Sequence, residues 1–114
     1  MSEATIQRDV IARLKKIGVE VLRVNSGVIR SGASFVRLAP IGTPDVLVWH
    51  PVVAWLELKR EGCGKRAKSD ATRQAQEAFA ANCALLGVPY LLTSDAAAAV
   101  AFVRELVAAE RGAA

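Results

Sequence analysis

The sequence predicts a single α/β domain, a sandwich of helices around a mixed sheet, and three observations carry that expectation. Apolar residues recur at helical spacing near the start of the chain and through its last third. Between those stretches lie β-branched, apolar runs too short for helices and bounded by Gly and Pro clusters. The resulting order, α-β-β-β-β-α-β-α, suits one sheet covered by helices. A length of 114 residues supplies one core and not two. With 53% hydrophobic and 23% charged residues, the chain is too apolar to remain disordered.

The elements follow in order. Ile6, Val10, Leu14 and Ile17 form one stripe, with Arg8, Arg13, Lys15 and Lys16 mostly off it. Ser2 is suited to cap this helix and Gly18 to stop it, which predicts a helix over 3–17. VEVLRVN (19–25) reads as a strand, Gly27 and the SGAS run interrupt the chain, and SFVRL (34–38) forms another strand. APIGTP (39–44) is a turn cluster holding two prolines and a glycine. DVLVW (45–49) and VVAWLEL (52–58) are two more strands, joined across His50 and Pro51. After the loop EGCGKRAKS (61–69), a helix over 70–86 places Ala75, Phe79, Cys83 and Leu86 on one stripe, capped by Ser69 or Asp70. VPYLLT (88–93) gives the last strand, and Ala96, Val100, Val103 and Val107 mark a helix over 95–109. No repeat, linker or second domain interrupts residues 1–114.

Composition narrows the function. No uncharged apolar run approaches the roughly 18 residues of a membrane span, and the start MSEATIQRD has no apolar core of a secretion signal. A cytoplasmic protein, of a bacterium or a phage-infected cell, is the expectation, with no membrane partner. Cys63 and Cys83 lie far apart and His50 is the sole histidine, so a Cys/His zinc site is excluded and two reduced thiols are expected. The net charge of +4 is unevenly spread. Val21 to Pro44 holds Arg23, Arg30 and Arg37 with no acid, and Lys59 to Arg73 holds six basic residues against Glu61 and Asp70. Such a basic middle suits either a polyanionic partner or a solvated surface.

The two strands around Pro51 carry the chemistry. A hairpin turning at 50–52 pairs Trp49 with Val53, Val48 with Ala54, Leu47 with Trp55, Val46 with Leu56 and Asp45 with Glu57. Facing residues point to one side with Cβ atoms about 5 Å apart. Two carboxylates therefore stand together, and Lys59, two residues beyond Glu57, projects on their face. The other face, Val46, Val48, Ala54, Leu56 and Leu58, is wholly apolar, as in an interior pair of strands. Glu-Leu-Lys alone reads more readily as a salt-bridged strand. Facing acids, however, also meet the needs of a hard divalent cation such as Mg²⁺, and a lysine beside it can orient a water or stabilise a phosphorane-like charge. That is machinery for phosphodiester hydrolysis.

The order GTPD (42–45), eleven residues, ELK (57–59), then Gln76 and Phe79 as Q-x-x-F, resembles the PD-(D/E)xK nuclease superfamily. With Ser2-Glu3, QRDVIARLKKIG and RVNSG (23–27), it looks more narrowly like the VRR-NUC domain, the virus-type replication-repair nuclease, in its stand-alone phage or bacterial form. The resemblance covers about residues 3–95. It implies a restriction-endonuclease-like sandwich, with Asp45, Glu57 and the backbone carbonyl of Leu58 on a Mg²⁺ or Mn²⁺ ion and Lys59 as the catalytic lysine. Glu3 matches a further acidic position that holds the metal or its water, although a first-turn Glu also simply favours a helix N-terminus. Gln76 matches a glutamine near the catalytic centre, and otherwise reads as a polar helix residue. Asn25 matches the asparagine of the R-x-N-S/T-G stretch, with local turn bonding or substrate contact as its role.

Arg60, Lys65, Arg66 and Lys68 follow the catalytic strand and are candidates for clamping DNA phosphates, as are Arg23, Arg30 and Arg37. His50 sits at the hairpin turn, away from Asp45, and is not expected to act as a base. Trp49 and Trp55 are expected to pack in the core. Aromatic residues at 5% give no stacking platform for single strands, so duplex or branched DNA is the expected partner. The expected activity is a metal-dependent DNA endonuclease acting as a homodimer on branched DNA, as Holliday junction resolvases do. The alternatives are a flap or nicking nuclease, or a DNA-binding module of the same fold that does not cut. For a module that only binds, facing acids beside phosphate would be a liability.

Overall fold

A computed structural model of the chain describes residues 2–24, 28–37, 39–60 and 70–112. Helix α1 runs Glu3–Lys16, helix α2 Asp70–Leu86 and helix α3 Ala96–Gly112. The strands are β1 (Glu20–Arg23), β2 (Val28–Ser31), β3 (Ser34–Arg37), β4 (Val46–His50), β5 (Ala54–Leu58) and β6 (Tyr90–Thr93). Five strands therefore precede α2 where the sequence predicts four. The additional one, β2, pairs with β3 as a hairpin separate from the main sheet, closed at Gly32 with φ of 61°. Four residues between Gly27 and Gly32 are too few for a strand period to stand out from a loop.

The main sheet has four strands in the order β1-β4-β5-β6, with β6 parallel to β5 and the other pairs antiparallel. This is the mixed sheet flanked by helices that the sequence predicts. Ser2 caps α1 by accepting a hydrogen bond from the Thr5 backbone N–H at 3.2 Å. At its other end, Gly18 takes a positive φ of 81° while the Val19 N–H bonds the Leu14 carbonyl and the Gly18 N–H bonds that of Lys15. That double bond pattern closes the helix and turns the chain into β1. Helix α2 ends the same way at Gly87.

One face of the sheet presents Val46, Val48, Ala54, Leu56 and Leu58, all fully buried, to Ile6, Val10 and Leu14 of α1 and Ala99 and Val103 of α3. The other face is covered by α2. There Phe79 packs edge-on against Trp55, ring centres 5.2 Å apart, and lies 6.5 Å from Tyr90. Trp49, expected in the core, is exposed beside His50, because it stands at the turn end of the hairpin beyond the reach of α2. Leu86 and Ile17, assigned to the buried stripes of their helices, are also exposed. Each lies at a helix end, past the edge of the sheet it would cover. No helix among the described residues is long and apolar enough to cross a membrane.

Candidate active site

The β4–β5 register pairs Val46 with Leu56, Leu47 with Trp55 and Val48 with Ala54, as the sequence predicts. Continued by one step, it brings Asp45 to Glu57. Asp45 is tied there by its own side chain, whose Oδ2 accepts a hydrogen bond from the Leu58 N–H at 3.1 Å. Its backbone is tied as well, since its carbonyl accepts from the Val24 N–H at 2.7 Å, just past β1. The turn before it is equally constrained. Thr43 bonds the Pro40 carbonyl through both its N–H and its hydroxyl. Gly42, with φ of 89°, lies against the backbone of Ala75 in α2 so closely that a Cβ would sit 2.5 Å from the Ala75 carbonyl carbon. The Gly-Thr-Pro turn thus docks the carboxylate end of β4 onto α2.

Among the described residues three polar or charged side chains are buried, Gln7, Glu57 and Lys59, and all three belong to this end of the sheet. Lys59 Nζ stands 3.4 Å from Glu57 Oε1. This is a long, poorly aligned ion pair that still favours the ionised form of Glu57, and it leaves most of the ammonium's donor capacity without a partner among the described residues. Glu57 Oε2 and Gln7 Oε1 likewise have no hydrogen-bond partner among the described residues. Burial raises the pKa of Glu57 from 4.5 to about 7, reinforced by the charge of Asp45 and opposed by Lys59. The Asp45 carboxyl is also pushed up by burial and by the charge of Glu3. The Leu58 N–H, Lys59 and a polar contact from the Gln7 side chain oppose that rise. The charge of Asp45 raises the cost of ionising Glu57, and the two acids share one lysine. Among the described residues the arrangement is short of positive charge.

The donor set suits a hard divalent cation. Two adjacent carboxylates, one with an unpartnered oxygen, supply anionic oxygens, and the remaining positions of an octahedral shell would go to the Leu58 carbonyl and water. No group of three or more Asp, Glu, His or Cys side chains among the described residues is arranged around one ion. Glu3, partly buried in the first turn of α1, acts on both carboxylates through its charge.

The remaining expected residues fall into three sets. Gln76 is partly buried on α2, next to the Ala75 that Gly42 touches, and makes no hydrogen bond or ion pair with a described residue of the site. Arg23, exposed, ends β1 opposite Val46, one residue from Asp45, and the exposed Arg60 follows Lys59 directly. Arg30 and Arg37 lie on the β2–β3 hairpin, each on a different strand. Asn25, Lys65, Arg66 and Lys68 lie outside the described residues, as does Cys63. Cys83 is a buried free thiol whose pKa burial raises, a poor nucleophile. Tyr90, beside Trp55 in the sheet, is pushed up to about 12 by burial and then by Glu57, which keeps its phenol neutral.

Gln7 is the residue that the sequence reading misses. It lies one turn after Glu3 and one turn before Val10, a polar side chain on the apolar stripe of α1, and that position was the available signal. Two grooves lie away from the cluster. One of about 680 Å³ runs along Lys15, Val19, Leu22, Trp49 and His50, and one of about 320 Å³ lies by Val53, Pro89 and Leu106. Compared with known protein families, curated proteins and solved structures, the chain has no match.

Proposed function

We propose that this chain is a metal-dependent DNA endonuclease of the restriction-endonuclease-like fold, resembling stand-alone VRR-NUC domains, and that it acts as a homodimer on duplex or branched DNA. The observation that carries this reading is the half-buried Asp45 next to the buried Glu57 with Lys59 beside it, at a sheet end where buried polar atoms lack partners among the described residues. A salt bridge serving stability alone would match its charges. This one leaves an excess carboxylate in an apolar setting, an arrangement that favours a cation.

Asp45, Glu57 and the Leu58 carbonyl would hold Mg²⁺ or Mn²⁺. When bound, such an ion polarises the scissile phosphate and lowers the pKa of water. The protein's own residues do the rest. Asp45, fixed by the Leu58 N–H, keeps the carboxylates in register with the hairpin. Lys59 directs its free ammonium hydrogens to the attacking water and to the charge that builds on the phosphoryl oxygens. A water oxygen forms the new bond to phosphorus and gives its proton to solvent. The bond from phosphorus to the leaving sugar oxygen breaks, and that oxygen departs with the electron pair and takes up a proton. The tight packing of Gly42 on Ala75 holds α2, and with it Gln76, at this end of the sheet.

The test uses purified protein with labelled linear, flap and four-way-junction DNA in Mg²⁺, Mn²⁺ or EDTA. Cleavage that needs the cation and is abolished in Asp45→Ala and Glu57→Ala is the expected result. Both variants should remain folded, their metal-free stability set by relieved repulsion between the acids against the lost Leu58 N–H contact of Asp45 or the lost Lys59 pairing of Glu57. Full cleavage by Glu57→Ala overturns the assignment. Tight DNA binding with no cleavage in any cation would make the chain a binding module.

A further inference from the structure

Gln7 is nine-tenths buried, at 7% exposure, in a position where leucine or methionine would pack against the core. Its Oε1 finds no hydrogen-bond partner among the described residues. Leaving a buried amide oxygen unpaired is costly, so an apolar residue of the same shape would make a more stable helix. The same side chain makes a polar contact with Asp45 that favours its ionised form. Lys59 Nζ, also beside the carboxylates, is an unspent donor. A water molecule can serve groups of both kinds, because it donates to an amide oxygen and accepts from an ammonium.

We propose that Gln7 is a positioning residue of the site, its side-chain amide steering Asp45 and its Oε1 receiving a hydrogen bond from the water that Lys59 orients. Helix α1 thereby does more than cover the sheet. Its N-terminal turns bring Glu3 and Gln7, four residues apart on one helix face, to the carboxylate end. Glu3 adds negative charge and Gln7 fixes geometry. The inference rests on the endonuclease reading for the identity of the water, but its structural half concerns Asp45 alone.

The experiment compares wild type with Gln7→Met, near in shape and without hydrogen-bonding groups, and with Gln7→Leu as a second apolar replacement. Three measurements are made: thermal melting without metal, Mn²⁺ affinity without DNA, and cleavage of the best DNA substrate with kcat and KM separated. The expected result is a melting temperature equal to or above wild type and Mn²⁺ affinity weakened by about tenfold, as for other residues that orient ligands. kcat should fall by at least about tenfold with KM within about twofold, since the lost contact orients water and not DNA. If both variants melt clearly below wild type, Gln7 is a packing residue and the proposal is overturned. It is overturned too if Mn²⁺ affinity and kcat stay at wild-type values. Should wild type cut no DNA, the endonuclease reading falls separately. Unchanged Mn²⁺ affinity in Gln7→Met then overturns this inference, and weakened affinity upholds the role of Gln7 at Asp45.

Discussion

At Glu57, burial and the neighbouring Asp45 act in the same direction, lifting its pKa from 4.5 to about 7. A carboxyl whose folded pKa exceeds its unfolded value binds more protons in the folded state. Its stabilising contribution is complete below the unfolded pKa and is lost as pH rises through the folded one. The metal-free protein is therefore expected to lose stability between about pH 4.5 and about pH 7, the opposite of an acid held by a good salt bridge. Thermal melts in EDTA check this. A falling melting temperature with rising pH is expected in wild type and a flatter profile in Glu57→Gln, where no charge forms. Mg²⁺ added at neutral pH should raise the melting temperature of wild type and leave Glu57→Gln nearly unmoved, since a ligand stabilises only a state that binds it. Lys59 acts against both acid shifts. Lys59→Met should therefore steepen the pH profile of metal-free stability. It should also lower the cleavage rate much more than DNA affinity, because its unspent hydrogen bonds serve the transition state. Parallel loss of binding and cutting would make Lys59 a phosphate anchor instead.

Between elements, the decisive contact is Gly42 on α2. The backbone there has a positive φ of 89°, and an added Cβ would meet the Ala75 carbonyl carbon at 2.5 Å and its oxygen at 2.6 Å. Gly42→Ala is expected to destabilise the fold by about 1–3 kcal/mol through overpacking and backbone strain. Because the clash is with backbone, Ala75→Gly should not rescue it in a denaturant melt. A full rescue would show that the Ala75 methyl, 2.8 Å from the same point, was the obstacle. The sequence made this turn legible as a Gly-Pro cluster, but not what it docks on, since nothing in a local pattern identifies Ala75 as the partner of Gly42. The β4–β5 register was legible because an apolar face alternates with Asp45, Trp55 and Glu57, and a one-residue slip would bury the acids' face. The hairpin strand β2 was not legible, for want of length. Gln7 was hidden because helical periodicity is read from apolar positions, and a polar residue on the stripe registers as noise until its neighbours across the sheet are known.

At the scale of the molecule, the basic residues that the structure describes near the acids stand on separate elements, Arg23 at the end of β1 and Arg60 after β5. Both are exposed, so neither spends its charge on Asp45 or Glu57, and an incoming polyanion would meet them first. On the endonuclease proposal, this orders the approach to the site: long-range attraction by arginines, then compensation of Glu57 and Asp45 by a cation. The following segment carries Lys65, Arg66 and Lys68 within ten residues of Lys59 in sequence. If these groups grip the backbone of the substrate, their energy comes mostly from released counterions. The slope of log affinity against log salt then falls by about 0.9 for each duplex phosphate contact removed. Neutralising Lys65, Arg66 and Lys68 together should therefore weaken binding to linear and branched DNA alike and flatten that slope, and Arg23→Ala with Arg60→Ala should add to the effect. Single-turnover cleavage at saturating protein should change far less, because Lys59 and the two carboxylates are untouched. A titration of each variant across salt concentrations separates grip from chemistry, and an unchanged slope would take these residues out of the DNA path and leave them as a solvated surface.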